Sequence, residues 1–485
     1  MSGKRNTNLL ILMSDEHQAR AMGSAGHPFV QTPYLDALAA RGMRFSNAYT
    51  PCPICVPARA AFATGQYVHR IRLWDNAMPY VGQPRGWGHA LQANGVPVES
   101  VGKLHYRDAE DPTGFDRQTI PMNVAGGVGM VWAATRALEE RVRPASRMLG
   151  AYIGPGESPY TTYDADVTAC AVDWLKARSG DERPWCLFVG LVAPHFPLVC
   201  PQEFYDFYPL DSLPEVKLGP GSGYEPHPWV RLHDDLLDTE NAFTDAKERL
   251  RAMAAYYGLC SWLDSNVGRI LAALDEAGLS GGTTVVYTSD HGEDLGARGS
   301  WGKGNFYEEA AAVPLILAGP DVPQGVCGTP VSLLDLSETI LDHFGAELEA
   351  DRPGRSLYAI AAEPYDGERA VFSEYHAIGA VEGGFMLRKG GLKLIHYEGF
   401  EPELFDLAAD PEELEDVSRD PAYAGRLADL YAELARVCST AEVNRQAHAD
   451  QAALVASFGG KEAVAALGAP GATPPPSRGE AGSPA

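Results

Sequence analysis

The stretch Thr50–Gly65 reads "TPCPICVPARAAFATG", and what the chain folds into turns on which of its two cysteines matters. Cys52 and Cys55 stand three apart, Pro57 and Arg59 follow at fixed offsets, and the segment runs on into a helical pattern. A C-x-x-C pair that opens a helix has a lowered first-thiol pKa and serves thioredoxin-like redox units. Here the pair lies early in a much longer α/β pattern, with no compact unit of that size around it. A structural zinc site needs a second pair of ligands at suitable spacing, and no second C-x-x-C occurs in the chain. What remains is the pattern C-x-P-x-R at Cys55, Pro57 and Arg59, with Cys52 a bystander.

Outward from this stretch, short apolar runs rich in β-branched residues recur, each followed by a helical pattern. They are "NLLILM" (Asn8–Met13), "WCLFVGLVAP" (Trp185–Pro194), "TTVVYTSD" (Thr283–Asp290) and "VPLILAG" (Val313–Gly319). This alternation predicts an α/β fold, a large mostly parallel sheet flanked by helices. Residues 246–278 keep apolar positions at three- and four-residue spacing and close on glycine, which predicts a long amphipathic helix or a broken pair over one face. The first strand runs into Ser14-Asp15-Glu16 and the third into Asp290-His291-Gly292, where open α/β sheets place their ligands.

From residue 364 the texture changes to shorter alternating segments, "RAVFSEYH", "GFMLRKGGLKLIHY" and "ELFDLAADP". They predict a small antiparallel sheet, with helices following over 423–437 and 443–458. The expected organisation is a catalytic domain over 1–363, a smaller C-terminal α+β domain over 364–468, and a tail over 469–485 rich in Pro, Gly and Ser. Such a tail is disordered or lies extended on another surface.

Composition narrows the classes. The 485 residues are 45% apolar and 21% charged, the balance of a soluble globular protein. A formal charge of −25 argues against nucleic-acid and anionic-membrane partners, which need a basic face. An anionic substrate would then require cations gathered locally against the general field. The N-terminal apolar run is five residues with no small-residue cleavage site after it, so it reads as a strand. No stretch approaches the ~20 apolar residues of a bilayer span, and a cytoplasmic location is expected. Eight scattered cysteines fit buried free thiols better than a disulfide framework.

C-x-P-x-R at Cys55, Pro57 and Arg59 resembles the signature of the sulfatase family, whose signature cysteine is oxidised to formylglycine. The resemblance extends in chain order through "LILMSDEHQ" (Leu10–Gln18), the segment Thr32–Tyr67, "GKLHY" (Gly102–Tyr106), "APHFP" (Ala193–Pro197), the block Ser289–Leu317 and "KLIHYEGFEPELFDLAADPEE" (Lys393–Glu413). The Ser289–Leu317 block resembles the choline-sulfatase and phosphonate monoester hydrolase branch of the alkaline phosphatase superfamily.

The resemblance implies a chemistry that makes physical sense. A sulfate ester needs a nucleophile, neutralisation of its oxygens and a proton for the leaving alcohol. Formylglycine at position 55, hydrated to a geminal diol, offers one hydroxyl for attack and a second whose deprotonation expels sulfate. The implied metal is one hard divalent cation, calcium by analogy, with manganese or magnesium admitted by the histidine. Its implied ligands are Asp15, the modified Cys55, Asp290 and His291. Glu16 stands where many sulfatases have a second aspartate and this branch has glutamine, and its reach to the metal is left open.

Arg59, at i+4 from Cys55 on one helical face, is expected to orient the nucleophile. Lys103 and His105 match the residues that contact sulfate and the diol, and His195 and Lys303 match the pair at the leaving oxygen, one of them the general acid. Asn76 in "RLWDNAMP" falls where the choline-sulfatase branch has an asparagine beside the anion.

The expected activity is hydrolysis of sulfate monoesters, a small anionic substrate class, after maturation by a formylglycine-generating enzyme. The alternative on the same site is phosphonate monoester or phosphodiester hydrolysis. A non-enzymatic binding module or a redox pair would have no use for the joint set of motifs. A choline ester would need an aromatic cage or carboxylates, for which Trp74, Trp87, Trp132, Trp301 and Tyr307 are candidates. The C-terminal arm from Val443 suggests a homo-oligomer whose tails embrace neighbours and rim the pocket.

Overall fold

The structure is a computed structural model that describes residues 5, 7–138, 141–144, 147–348, 351–468 and 472–476. Its centre is an eight-stranded sheet built from β1 (Asn8–Asp15), β2 (Met43–Phe45), β3 (Val98–Lys103), β4 (Arg117–Met122), β5 (Cys186–Pro194), β6 (Thr283–Ser289), β7 (Leu315–Ala318) and β8 (Gly325–Cys327). Their spatial order is β8-β2-β7-β6-β1-β5-β3-β4. Only β7 runs against its neighbours in this sheet, so the sheet is mostly parallel, as the alternation of strand and helix patterns predicts. β1 is buried along its whole length, which explains why its sequence is a continuous apolar run and not an alternating one.

Two apolar layers sandwich the sheet. One contains Leu9, Ile11, Phe62, Trp87 and Phe188; the other contains Leu10, Leu12, Leu187, Val267 and Ile270. The second is sealed by the helix Ala246–Glu276, 31 residues capped by the Asp245 side chain on the N–H of Glu248. The long amphipathic segment is thus one unbroken helix.

At the C-terminal end β9 (Ala370–Tyr375), β10 (Gly384–Lys389), β11 (Leu392–Tyr397) and β12 (Glu403–Asp406) form an antiparallel sheet in sequence order. The helices Ala424–Val437 and Thr440–Ser457 follow. An apolar cluster joins this sheet to the larger one, with Phe372, Phe385 and Leu394 packed in the same core as Tyr49, Ile54 and Ala61. The stretch that carries Cys55 is therefore wedged between the two sheets. Of the tail, residues 472–476 lie within the description; 469–471 and 477–485 lie outside it. Among the described residues no helix is long and apolar enough to cross a membrane.

Candidate active site

Four neighbouring strands, in the spatial order β6-β1-β5-β3, deliver the site from their carboxyl ends. Asp290 and His291 follow β6, Asp15 closes β1, His195 follows β5, and Lys103 closes β3. Because the strands are parallel, their ends converge at one rim, where an open α/β sheet leaves its crevice. Close approach there demands a glycine: a Cβ built at Gly190 of β5 would lie 2.0 Å from the Lys103 carbonyl.

Cys55 enters this rim as the first residue of the helix Cys55–Thr64, all ten residues of which are buried. The helix start has no cap from Ile54. Asn76 supplies one from outside, its Oδ1 accepting from the N–H of Val56 at 3.2 Å and satisfying a donor that the helix itself cannot. The Cys55 Sγ lies 3.1 Å from His291 Nε2 and 3.6 Å from Asp15 Oδ1. Asp15, Cys55, Asp290 and His291 are all buried and offer ligand atoms within 4.8 Å of one another. His291 Nδ1 faces its neighbour's carbonyl, Gly292 O, at 3.0 Å. That bond places the proton on Nδ1 and leaves Nε2 as a free lone pair toward the cluster. Two carboxylates and an imidazole lone pair form a donor set suited to a hard divalent cation.

The cations expected from the sequence assemble around this cluster. Lys103 Nζ sits 2.6 Å from Asp15 Oδ2. Arg59 donates from Nε to Asp290 Oδ2 at 2.7 Å, from Nη2 to Asp15 Oδ2 at 3.3 Å, and from Nη1 to the Lys103 carbonyl at 3.0 Å. Its guanidinium thus clamps the carboxylates that flank Cys55. Burial opposes ionisation of Asp15, but neighbouring cations, Lys103 first, outweigh it and hold its carboxyl well below the usual carboxylate range. Burial, reinforced by the Asp15 charge, pushes the Cys55 thiol up, and burial with Glu374 pushes Cys52 up as well. Reactive redox pairs have lowered thiol pKa values, so the Cys52–Cys55 pair has the wrong electrostatics for that role.

Lys303 and His195 meet at the other side. Lys303 Nζ lies 2.8 Å from His195 Nε2 and 2.7 Å from Glu16 Oε2. His195 Nδ1 faces the Phe196 carbonyl at 2.6 Å, which puts its proton there and makes Nε2 the acceptor for Lys303. Burial and then the Lys303 charge keep His195 well below its ordinary pKa. Burial works against the Lys303 charge, yet Glu16 more than compensates and raises it. Glu16 thus pairs with Lys303, 3.3 Å from His195 Nε2. Its Oε1 is buried without a hydrogen-bond partner among the described residues, and Glu16 lies outside the four-residue cluster but in a second group, with Asp15 and His195, whose ligand atoms come within 4.8 Å of one another. His105 is also buried; its Nε2 meets Thr473 Oγ1 at 2.9 Å, and Tyr160 donates to the Thr473 carbonyl at 2.5 Å. The described part of the tail therefore lines this pocket in its own chain.

Three residues that the sequence reading passed over hold these groups in place. Asp164, on the helix Pro159–Lys176, accepts from the N–H groups of Val192 and Ala193 at 2.8 and 2.7 Å and fixes the strand end that carries His195. Glu293 accepts from Leu295 and Gly302 at 2.8 and 2.6 Å, anchoring the loop of Lys303. Glu374 holds the N–H of His69 at 2.9 Å, and its own N–H donates to the Pro51 carbonyl at 3.1 Å, tying the C-terminal sheet to the nucleophile loop. Glu293 stands in a strand-end acidic run and was findable; Asp164 sits in a helix with no signal. Of the five aromatic candidates, only Trp132 lines the cavity. Trp87 is in the sheet core, Trp74 and Tyr307 in the core between the sheets, and Trp301 packs on the long helix.

The family model described as Sulfatase matches residues 7–346. The chain belongs to the sulfatase family. It is a sulfuric ester hydrolase by that membership. A second model, described as the N-sulphoglucosamine sulphohydrolase C-terminal region, matches residues 296–440. This sulfatase is 34% identical to a choline-sulfatase of Rhizobium meliloti over 85% of its own chain and 83% of the relative. It is 29% identical to arylsulfatase K of Bos taurus over 85% and 78%. Among solved structures, the phosphonate monoester hydrolase of Silicibacter pomeroyi superposes with a TM-score of 0.73 at 26% identity, covering 89% of this chain and 94% of that one. A protein solved with its substrate D-glucosamine-2-N,6-O-disulfate superposes at 0.72 with 23% identity, covering 92% and 98%, a likeness of fold.

Proposed function

We propose that this sulfatase hydrolyses sulfate monoesters to sulfate and an alcohol, using formylglycine made from Cys55 by a formylglycine-generating enzyme. The observation that carries the reading is the buried cluster of Asp15, Cys55, Asp290 and His291 with Lys103 and Lys303 beside it. The named choline-sulfatase and arylsulfatase relatives support it. One divalent cation, calcium first and manganese or magnesium after it, would be held by these four residues, where it would polarise a sulfate oxygen and favour a deprotonated hydroxyl at position 55. Hydrated formylglycine supplies one hydroxyl to attack sulfur and a second whose lost proton drives sulfate out.

The other residues act around that chemistry. Arg59 holds Asp15 and Asp290 in register. Lys103 and Lys303 face the anion and neutralise its oxygens, His105 stands beside them as a neutral imidazole held so by burial and the Lys103 charge, and Asn76 fixes the helix start that aims residue 55. The Lys303–His195 pair shares one mobile proton, which the leaving oxygen takes as the ester bond breaks. This division of labour needs no movement of charged groups during the reaction. A second reading, phosphonate monoester or phosphodiester hydrolysis on the same site, draws on the phosphonate monoester hydrolase neighbour at 26% identity.

The test begins with co-expression with a maturation enzyme, trypsin digestion and mass measurement of the peptide Phe45–Arg59. An aldehyde at position 55 and turnover of sulfate esters are expected. A persistent thiol in protein that nonetheless turns over substrate would overturn the formylglycine reading, and turnover restricted to phosphorus esters would favour the second. The proposed homo-oligomer is read by solution scattering, where a monomeric mass removes it.

A further inference from the structure

The cavity above residue 55, with an empty volume of about 640 Å³, has an inner wall that carries Lys103, His105, His195 and Lys303 and an outer wall of apolar side chains, Met130 and Trp132 among them. His233, which no step of the reaction above uses, lines it as well. It stands near the end of the helix Pro228–Leu237, packed against the loop that carries Lys303.

That loop cannot hold Lys303 by itself. Lys303 sits between Gly302 and Gly304, at φ +81° and +110°, and glycine backbone has little conformational preference of its own. Yet the Lys303 Nζ, at the tip of a long flexible stem, has to stay 2.8 Å from His195 Nε2 and 2.7 Å from Glu16 Oε2. Glu293 supplies one restraint from within the loop, accepting from the Gly302 N–H at 2.6 Å. The others come from residues 233–240.

One carboxylate there reaches both sides of Lys303. Asp234 Oδ2 accepts from the Ser300 hydroxyl at 2.5 Å, and Asp234 Oδ1 accepts from His233 Nδ1 at 3.0 Å. The first bond holds the chain ahead of Lys303. The second orients the His233 ring against the residue after it, so closely that a Cβ built at Gly304 would lie 2.3 Å from His233 Nε2. Trp229 stacks on His233 with the rings 7° from parallel and 6.1 Å between centroids, and Tyr375 meets it edge-on at 5.9 Å. Glu240 adds a further hold, accepting from the Trp301 indole N–H at 2.8 Å. Ser300 and His233 are both buried, so a partner lost from either is not replaced by water.

We infer that Asp234, with His233 and Ser300 as its two arms, is the positioning residue of Lys303: it sets where the ammonium meets His195 and the leaving oxygen, and touches neither substrate nor metal. The inference rests on the reading above in which the Lys303–His195 pair delivers the proton. It predicts that loss of Asp234 reproduces loss of Lys303 in kind, because a displacement of about 1 Å at a reacting group costs on the order of a hundredfold in rate.

The matured, metal-loaded enzyme and its Asp234→Ala variant are assayed with phenyl sulfate, a poor leaving group, and 4-nitrophenyl sulfate, a good one. The variant is expected to lose roughly ten- to a hundredfold in kcat on phenyl sulfate and no more than about threefold on 4-nitrophenyl sulfate, with KM for both nearly unchanged. In a Lys303→Ala background the same substitution should add less than about a twofold further loss, since residues that act as a unit are not additive. Equal losses on the two esters, or a full further loss in the Lys303→Ala background, overturn the inference and leave the sulfatase reading standing. Ser300→Ala removes one arm and keeps the carboxylate; it should show the same leaving-group pattern at roughly three- to tenfold, and it decides the matter if Asp234→Ala does not fold. Turnover of phosphonate esters with none of any sulfate ester overturns the sulfate reading alone, and the same comparison with phenyl and 4-nitrophenyl phosphonates then decides the role of Asp234.

Discussion

The inner and outer walls of one cavity follow opposite rules. At and beneath the inner wall each of these cations has a carboxyl group within 3.3 Å: Arg59 with Asp15 and Asp290, Lys103 with Asp15, Lys303 with Glu16. Removing one member leaves a buried charge uncompensated, so the wall is intolerant of change. On the outer wall the contacts are apolar and individually weak, and a substitution there changes fit without stranding a charge. The comparison teaches that reaction chemistry and substrate choice are held by different physical forces within one cavity. They should therefore be separable by mutation.

The largest expected effect sharpens the inner side. Cys55→Ala should lower turnover by roughly a thousandfold or more in steady-state assays while leaving the denaturation midpoint nearly unchanged, since a small buried thiol is lost without breaking an ion pair. Surviving activity would break the comparison at its root. Next, Lys303→Ala should cost about 10²–10⁴ in kcat for esters of poor leaving groups, and distinctly less for 4-nitrophenyl sulfate, whose alkoxide needs no proton. A loss independent of the leaving group would mean that Lys303 serves only to bind the anion.

Arg59→Ala should destabilise the metal-free fold by about 3–5 kcal/mol, because Asp15 and Asp290 lose their shared clamp inside the protein; urea denaturation in the presence of a chelator reads this directly. Acid should weaken the packing at both ends of β1, where His17 and His343 sit. Burial lowers His17 to a pKa of about 4, only partly offset by its bond to the Ala21 carbonyl, and burial likewise lowers His343 to about 4. The unfolded chain takes up these protons near pH 6.5 while the fold refuses them until about pH 4. Stability is therefore intact above pH 6.5 and falls as the pH drops through that window. Urea midpoints at pH 7 and pH 4.5 should show the fall, and His17→Gln should flatten it.

The smallest effect isolates the outer wall from the ordinary core. Trp87→Phe in the sheet core should cost about 1–2 kcal/mol of stability and leave the ratio of hexyl to methyl sulfate turnover unchanged, in contrast to Trp132→Ala, which removes a ring that lines the cavity. If both tryptophans altered that ratio, the outer wall would not be a distinct specificity element.

The parts of this molecule legible in its sequence share a reason. β1 and β6 are continuous apolar runs ending in Asp15 and Asp290-His291, and a fully buried parallel strand with a polar end leaves that mark whatever surrounds it. The helix Ala246–Glu276 has its periodicity and its capping Asp245 written locally. Asp164 was not legible, because its task is to hold backbone N–H groups of Val192 and Ala193 from a helix that a sequence pattern cannot orient. Trp132 could not be told from Trp74, Trp87 and Trp301, since all four are apolar neighbours of motif residues and differ only in which cavity or core they meet.

By itself the sequence determined the α/β class, the small antiparallel sheet and the set of residues that could act on a sulfate ester, because strand periodicity and motif chemistry are local properties. Only the tertiary structure decided that Glu16 pairs with Lys303, that Arg59 clamps two carboxylates, and that Trp132 rather than the other candidate tryptophans lines the cavity. Those facts depend on four parallel strands ending at one rim and on distances between residues far apart in the chain, and no local pattern records a distance.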